Sequence, residues 1–329
     1  MKTKRLGAAG PQVFAMGLGC MGMSDFYGSA DETESVATIH AALEAGVTLL
    51  DTGDFYGVGH NEMLIREALK GGRREKAVLS VKFGLLRHPN GGVLGLDMRP
   101  ANVKAACAYS LKRLGADYID IYRPCRVTAD VPVEDTIGAI ADLVKEGYVR
   151  HIGLSEAGPD AIRRAHTVHP ICDLQIEYSI LSRGPERAIL PVLRELGIGM
   201  TAYGVLSRGL ISESALVGGS ASGFRAGLPR FQGENLRHNL TLVQSLKTIA
   251  GEKRVTVAQL AIAWVAAQGD DIVPLVGARN RDRLWETMSA LDVALSPNDI
   301  ARIADTVPAG SVAGDRYPTE HMAHLDSER

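Results

Sequence analysis

Short apolar segments alternate with segments of helical periodicity along almost the whole chain, which limits the folds available to it. Eight apolar segments are predicted to be strands: 15–19, 48–51, 77–81, 118–122, 149–154, 173–178, 199–203 and 272–276. Helices are predicted at 32–45, 61–69, 99–114, 133–145, 159–166, 185–196, 240–250, 257–267 and 282–291. Because such an alternation forms right-handed βαβ units with parallel strands, eight strands predict a closed (β/α)8 TIM barrel. An open doubly wound sheet is the alternative.

The two ends of the chain extend this pattern without adding a domain. Lys4–Leu6 and Gln12–Phe14 flank a turn that contains glycine and proline, and they are predicted to form a β-hairpin. An irregular C-terminal tail is expected after the last helix. No change of composition marks a linker, so residues 1–329 are predicted to form a single domain. Residues 17–22 match G-x-G-x-x-G, but no helix is predicted at the third glycine, so a dinucleotide fingerprint is not indicated.

The composition argues against several kinds of partner. A formal net charge of -2 provides no basic surface for nucleic acid. The four cysteines are scattered without a C-x-x-C pair, so neither a disulfide framework nor a metal site is predicted. The longest apolar stretch, residues 260–267, is too short to cross a bilayer, and the N-terminus leads into no signal-like segment. We therefore expect a cytoplasmic protein with no nucleic-acid or membrane partner, and its oligomeric state stays open.

Three polar residues at two strand ends indicate acid–base chemistry. Asp51 ends one predicted strand, Tyr56 follows it in a glycine-flanked loop, and Lys82 ends the next strand. If the strands are parallel neighbours, the three side chains meet at one edge of the sheet. A lysine beside a tyrosine stabilises the phenolate and lowers the phenol's pKa, while a carboxylate orients the lysine. A buried ion pair with a packing tyrosine is the alternative.

Closure of a barrel would gather further residues around the same opening. Polar or glycine residues lie at or just past six C-terminal strand ends: Asp51, Lys82, Ser155, Gln175, Tyr203 and Gly277. Because barrel enzymes keep their active sites at that face, the clustering favours catalysis over a structural ion pair. Loops expected at the mouth also carry large apolar side chains: Met21, Met23, Phe26, Tyr27, Phe55 and Phe83. They predict an apolar substrate pocket.

Several ordered motifs resemble one family, the aldo-keto reductase superfamily, over nearly the whole chain. The matching stretches are residues 51–57 (DTGDFYG), 81–82 (VK), 151–156 (HIGLSE), 175–178 (QIEY), 202–209 (AYGVLSRG) and 276–279 (VGAR). The resemblance implies a (β/α)8 barrel that reduces an aldehyde or ketone with a nicotinamide cofactor. It also implies that Tyr56 is the general acid, that Lys82 and Asp51 tune it, and that the N-terminal hairpin plugs the barrel floor.

The resemblance also assigns cofactor-binding residues. Ser155 and Gln175 are expected to hold the carboxamide, and Tyr203 is expected to stack on the nicotinamide ring. The loop that contains Leu206 and Arg208 is expected to offer backbone amides to the pyrophosphate. Glu156 stands where the family usually has asparagine, so this part of the carboxamide site departs from the family pattern.

The segment from Gly277 onwards predicts which nicotinamide cofactor is used. It follows the last strand and opens the last helix, whose unpaired amides and dipole favour phosphate. Arg279 and Arg283 add bidentate donors suited to a 2′-phosphate, so NADPH is favoured over NADH. A solvated basic face is the alternative. By resemblance, Glu286 contacts the adenine, and Thr287 replaces the more usual asparagine.

One position departs from the family in the chemistry itself. The family usually has a catalytic histidine after the fourth strand, but here Cys125 occupies that position. A thiol is a weak donor and cannot polarise a carbonyl as imidazole does. Either Tyr56 suffices and Cys125 is inert, or substrate scope is narrowed, or the chain is a cofactor-binding regulatory subunit with vestigial catalysis. His88 is near enough in sequence to approach the site, and Arg123 either favours an acidic or polyol substrate or faces solvent.

Overall fold

The computed structural model describes residues 2–24, 26–212, 214, 216–217, 220–221 and 223–329. The strands are β1 (Thr3–Arg5), β2 (Gln12–Phe14), β3 (Gly17–Gly19), β4 (Leu49–Gly53), β5 (Val78–Phe83), β6 (Leu85–Arg87), β7 (Val93–Leu96), β8 (Ile119–Pro124), β9 (Val149–Ser155), β10 (Ile171–Glu177), β11 (Gly199–Tyr203), β12 (Leu216–Val217), β13 (Ser220–Ala221) and β14 (Ile272–Gly277). The helices are α1 (Glu32–Glu44), α2 (His60–Ala68), α3 (Pro100–Leu114), α4 (Val133–Lys145), α5 (Pro159–Val168), α6 (Pro185–Leu196), α7 (Gly233–Glu252), α8 (Val257–Ala266), α9 (Arg281–Ser289), α10 (Pro297–Thr306) and α11 (Thr319–Met322).

Eight parallel strands close into a barrel in the order β3, β4, β5, β8, β9, β10, β11, β14. Closure is visible at β3, because Leu18 is in register with Leu50 on one side and with Val276 on the other. The predicted (β/α)8 TIM barrel is therefore confirmed, and the open sheet is excluded. Parallel closure also brings all eight C-terminal strand ends to one mouth.

The hairpin of β1 and β2 covers the opposite, N-terminal end of the barrel. Leu6 and Val13 pack in a small buried cluster with residues from the strand starts, including Leu49 and Cys172. Contact is so close at Gly7, with φ +65°, that an added Cβ would lie 2.4 Å from Cys172 O. The hairpin is thus the expected plug of the barrel floor.

Residues of each strand alternate between the barrel interior and the surrounding helices. On β5, Ser80 and Lys82 point inward, where both contact Asp51. Arg123 on β8 also points inward and is completely buried, with bonds to Asp173 at 3.0 Å and to Ser80 at 3.1 Å. Both alternatives for Arg123 are therefore wrong, because this side chain reaches neither a substrate nor solvent.

Six of the described elements were not predicted from the sequence: β6, β7, β12, β13, α10 and α11. The short hairpin of β6 and β7 follows Lys82, and α10 occupies part of the tail that was expected to be irregular. A capping box begins α10: Ser296 Oγ accepts from Asp299 N, and the Asp299 carboxylate accepts from Ser296 N. This reciprocal pattern satisfies two otherwise unpaired amides. Because a capping box can be recognised in a sequence, α10 could have been predicted.

Helix α8 contains the longest apolar stretch and is buried on most of its surface. Trp264 is 1% exposed, and its ring lies 5.5 Å from that of Tyr178. A helix that is apolar on most sides belongs inside a packed protein when it is this short. Within the described residues, no helix is both long and apolar enough to cross a membrane.

Candidate active site

Asp51, Lys82 and Gln175 form a buried polar network inside the mouth of the barrel. Lys82 Nζ lies 2.5 Å from Asp51 Oδ1 and 2.9 Å from Gln175 Oε1. Gln175 Nε2 and Ser80 Oγ donate to the other carboxylate oxygen, Asp51 Oδ2, at 2.7 and 2.9 Å. Gln175, expected at the cofactor's carboxamide, is engaged here with the two charged residues instead. Burial lowers the pKa of Lys82, and the Asp51 carboxylate opposes that shift.

Tyr56 lies beside this network on a strained turn after β4. Lys82 Nζ lies 5.3 Å from the centre of the Tyr56 ring, and the Phe55 ring packs edge-on at 4.8 Å. The turn holds Val58 at φ +54°, a conformation that is costly for a β-branched residue and is held by its surroundings. The sequence motif is therefore brought together as expected: a phenol, an ammonium and a carboxylate at adjacent strand ends.

The predicted lowering of the Tyr56 pKa is not observed. Burial, followed by the charge of Asp51, raises the pKa of Tyr56 well above its usual value, and Arg126 opposes the shift. Lys82 donates to Asp51 and Gln175 in this arrangement. Among the described residues, none of the hydrogen bonds of Lys82 reaches the Tyr56 hydroxyl. In this arrangement Tyr56 holds its proton firmly.

Cys125 is buried directly after β8, where its N–H donates to Phe83 O at 2.9 Å. Burial raises the pKa of the thiol to about 12, so it is neutral at physiological pH. Neither the strong donor of an imidazole nor a thiolate nucleophile is present at this position. His88 does not replace it, because His88 lies in the exposed turn between β6 and β7.

The predicted pocket residues separate into two groups. Met21, Phe26 and Phe55 lie on loops at the mouth, and Phe26 packs against Phe224 with ring centres 5.4 Å apart. Phe83 is completely buried and stacks on Tyr122 at 4.4 Å, on the helix-facing side of the barrel. Its placement in the pocket was wrong because Phe83 follows the inward-facing Lys82, and successive strand residues face opposite sides.

The predicted phosphate-binding segment lies between β14 and α9. Gly277 is exposed at the end of β14, and Arg279 Nη1 donates to the carbonyl oxygens of Tyr27 and Ser29 at 3.0 and 3.3 Å. Arg283 pairs with Glu286 at 2.6 Å on the exposed face of α9. The side chain of Thr287 is buried and donates within the helix.

Two amides at the start of α9 already have partners within the chain. Arg281 N donates to Glu34 at 3.0 Å, and Arg283 N donates to the cap residue Asn280 at 2.9 Å. These amides are not free for phosphate in this arrangement, contrary to the expectation from the helix terminus. The guanidinium groups of Arg281 and Arg283 are likewise paired, with Glu34 and Glu286, whereas Arg279 has no carboxylate partner among the described residues.

Glu156 follows β9 and Ser155, which is buried at the strand end. Its backbone adopts φ +51°, a left-handed conformation that asparagine tolerates better than glutamate. Five donors hold its buried carboxylate: Glu177 N, Tyr203 Oη, Ser327 Oγ and both terminal nitrogens of Arg316. Burial alone would raise the pKa of Glu156, but Arg316, with Arg126 and Ser327, outweighs it and lowers that pKa to about 2.

The C-terminal tail reaches over the mouth of the barrel, which the sequence did not indicate. Arg316 binds Glu156 at 2.8 Å and Glu328 at 2.6 Å. Tyr317 lies next to it, with its hydroxyl 3.3 Å from that of Tyr203. Glu156 and Tyr203 lie more than a hundred residues from their tail partners along the chain, so no local signal in the sequence could reveal these two contacts.

The loop after β11 is fixed by another buried carboxylate, Glu177. Arg208 donates to Glu177 at 2.8 Å, and its guanidinium lies 4.3 Å from the centre of the Tyr317 ring. Leu206 precedes it in the same loop, where Leu206 O accepts from Gly209 N at 2.9 Å. Arg208 is therefore engaged in an ion pair within the chain and helps to hold the tail in place.

Comparisons with known proteins agree with this geometry. The profile of the aldo/keto reductase family matches residues 15–307. A probable aldo-keto reductase of Glycine max is 42% identical over 318 residues, which cover 95% of this chain and 91% of the relative. The solved structure of glycerol dehydrogenase AKR11B4 from Gluconobacter oxydans matches with a TM-score of 0.85 at 26% identity, covering 97% of this chain and 98% of that one.

A second solved structure gives the same result at higher identity. The holo form of aldo-keto reductase AKR11C1 from Bacillus halodurans matches with a TM-score of 0.79 at 30% identity, covering 94% of this chain and 97% of that one. The family profile spans nearly all of the barrel, and the buried Asp51–Lys82 pair beside Tyr56 lies at its mouth. The chain belongs to the aldo/keto reductase family, and it is an NAD(P)H-dependent oxidoreductase that acts on carbonyl compounds.

Proposed function

We propose that this enzyme reduces an aldehyde or ketone to the alcohol with NADPH, and that Tyr56 is the proton donor. The observation that carries the proposal is the buried Lys82–Asp51 pair, 2.5 Å apart, next to the Tyr56 ring. A tyrosine, a lysine and an aspartate buried together at the C-terminal mouth of a barrel form a set suited to proton transfer. The same set in a purely structural role would not need a phenol on a strained turn.

The charges around the mouth fit an anionic dinucleotide. Arg225 and Arg279 have no carboxylate within ion-pair distance among the described residues, and Arg225 lies over the Tyr27 ring at 4.4 Å. Burial, with the like charge of Arg279, lowers the pKa of Arg225. Two neighbouring guanidiniums without a counter-charge suit a phosphate or pyrophosphate. We assign Arg279, with Arg283 beside it, to the 2′-phosphate that distinguishes NADPH from NADH.

Other cofactor contacts follow from positions at the strand ends. Ser155 lies where it can hold the carboxamide, and Tyr203 offers a ring for the nicotinamide. Leu206, Arg208, Gly277 and Glu286 lie along the loops assigned to the pyrophosphate and adenosine. Gln175 acts through Lys82 and Asp51 as well, since its amide is bonded to both.

When bound, the dihydronicotinamide supplies a hydride to the carbonyl carbon of the substrate. Tyr56 donates its proton to the carbonyl oxygen as negative charge develops there. The phenolate that remains is stabilised by the positive charge of Lys82, and Asp51 keeps that ammonium in place. Because Tyr56 holds its proton firmly, it is fully in the acid form before the reaction. Met21, Phe26 and Phe55 exclude water from one side of the substrate.

A cofactor-binding subunit with vestigial catalysis is the second candidate, and the neutral thiol of Cys125 is the observation that favours it. Without an imidazole, the carbonyl oxygen has one strong donor fewer. A panel of aldehydes, ketones and keto-sugars, followed by NADPH oxidation, separates the two. Turnover of any member supports the reductase. Tight NADPH binding by calorimetry, with no turnover across the panel, supports the regulatory subunit.

A further inference from the structure

Arg126 lies directly after Cys125 at the mouth of the barrel and has no acidic partner. Its side chain is half-buried, and Nη1 donates to the carbonyl oxygen of Cys125 at 2.5 Å. No carboxylate in the described part of the chain lies within ion-pair distance of its guanidinium. Burial would lower the pKa of Arg126, but Tyr317, Tyr203 and Glu156 oppose that effect and the pKa is raised, so its guanidinium is charged and can bind an anionic ligand.

The carboxylates around the mouth are already committed elsewhere. Glu156 accepts from five donors, including both terminal nitrogens of Arg316. Glu177 accepts from Arg208 at 2.8 Å and from Ser182 at 2.7 Å. Asp51 is bonded to Lys82, Ser80 and Gln175. None of the three forms an ion pair with Arg126, and Glu156 acts on its guanidinium only through its charge.

The charge of Arg126 acts on the phenols at the mouth of the barrel. Its guanidinium acts on Tyr56, where it opposes the rise in the pKa of that phenol. It acts in the same direction on Tyr317, whose pKa burial would raise, although Arg208 and Arg126 together lower it. Arg225 and Arg279, which have no ion pair among the described residues, form a separate group, in which burial and the charge of Arg279 lower the pKa of Arg225.

We propose that Arg126 binds a carboxylate carried by the carbonyl substrate, so that the enzyme prefers oxo acids or aldehyde acids to neutral carbonyl compounds. This inference rests on the proposed reductase function. A planar guanidinium offers two parallel donors that match the two oxygens of a carboxylate. With Tyr56 at the carbonyl oxygen and Arg126 at the carboxylate, the substrate is held at both ends.

Matched substrate pairs test the specificity. The acids are pyruvate and para-formylbenzoate, and each is compared with its own methyl ester by the ratio of kcat/KM. Comparing this ratio between enzyme variants cancels the intrinsic reactivity of the carbonyls. In Arg126→Gln the acid-to-ester ratio of at least one pair should fall about tenfold or more, the effect of losing a charge-assisted contact. Arg126→Lys should retain part of the preference.

The control is Arg163→Gln, which removes a surface arginine paired with Glu195 at 2.6 Å, and it should leave the ratio unchanged. The proposal is overturned if Arg126→Gln keeps the wild-type ratio for both pairs. A large loss of NADPH affinity in Arg126→Gln, with an unaltered ratio, would instead assign Arg126 to the cofactor.

A binding measurement keeps this test independent of turnover. Calorimetry with para-hydroxymethylbenzoate, the alcohol product, should show affinity in the wild-type enzyme with NADP⁺ and about tenfold weaker affinity in Arg126→Gln. Equal affinities in the two proteins overturn the carboxylate site even if the enzyme is active. Acid binding that depends on Arg126, in a protein that reduces no carbonyl compound, keeps the site and rejects the reductase function.

Discussion

Lys82 Nζ lies 2.5 Å from Asp51 Oδ1, and the two side chains are only 6% and 4% exposed. Removing one member of such a pair leaves the other as an uncompensated buried charge. Gln175 and Ser80 complete the shell of Asp51, so the aspartate has a fixed position and fixes Lys82 in turn. The Lys82–Asp51 pair is thus part of both the stability of the barrel and its chemistry.

Lys82→Met is expected to lower the free energy of unfolding by about 3–5 kcal/mol, because it leaves the Asp51 carboxylate buried inside the barrel without a counter-charge. Urea titration followed by circular dichroism measures this. Lys104→Met is the matched control, since Lys104 forms an exposed pair with Asp142 at 2.7 Å. An exposed pair contributes at most about 1 kcal/mol. Similar losses in the two variants would mean that the buried pair has no special role.

Glu156 should make the stability of the enzyme depend on acidic pH. Its native pKa is lowered to about 2, so its contribution is present above the unfolded value and is lost as the pH falls toward 2. Glu156→Gln should therefore reduce the free energy of unfolding by about 3 kcal/mol at pH 7. The gap between the variant and the wild-type protein should narrow between about pH 4.5 and pH 2. A gap that stays constant over this range would contradict the assignment.

The cofactor assignment predicts unequal effects of two neighbouring arginines. Arg279→Gln should weaken NADPH binding about tenfold or more, because a charge-assisted bond contributes about 1.5–3 kcal/mol. Arg283→Gln should cost less, since Arg283 already pairs with Glu286. NADH binding should change little in both variants. Fluorescence titration with the two cofactors measures this.

Arg302→Gln is the control for the cofactor titrations, as Arg302 pairs with Glu252 on the exposed surface. It should change neither affinity. Equal losses of NADPH and NADH affinity in Arg279→Gln would show that this arginine does not bind the 2′-phosphate.

Replacing Cys125 tests whether a carbonyl-polarising donor is missing. Cys125→His should raise kcat/KM for small aldehydes by up to roughly tenfold, the value of one added neutral hydrogen bond of about 0.5–1.5 kcal/mol. Because Cys125 is only 3% exposed, the larger ring should also cost about 1–3 kcal/mol of stability through overpacking. Cys125→Ala is the matched variant. If neither changes the kinetics, position 125 takes no part in the reaction.

Local sequence patterns predicted most of the fold. The bounds of α4, α6 and β11 agree with the prediction residue for residue, because apolar periodicity and proline or glycine at the ends mark them. The hairpin of β6 and β7 was missed, since these short strands lie outside the barrel and bury little apolar surface. Helix α10 was missed even though its capping box was readable.

The site was predictable only where its residues lie on barrel strands. Asp51 and Lys82 meet because β4 and β5 are parallel neighbours, and strand order follows from the alternation of elements. Arg316 and Glu156 meet only because the tail folds back across the mouth, and they are 160 residues apart. The pKa of Tyr56 was also beyond the sequence, since it depends first on how deeply the folded chain buries the phenol.

The most direct test of the proposed chemistry is the turnover of Tyr56→Phe with any carbonyl compound that the wild-type enzyme reduces. The substitution keeps the ring against Phe55 and removes only the proton donor, so folding and cofactor binding should be preserved. We predict that kcat falls about a hundredfold or more, the contribution expected of a general acid, while NADPH affinity is unchanged. Retention of more than roughly a tenth of the wild-type kcat would contradict Tyr56 as the proton donor.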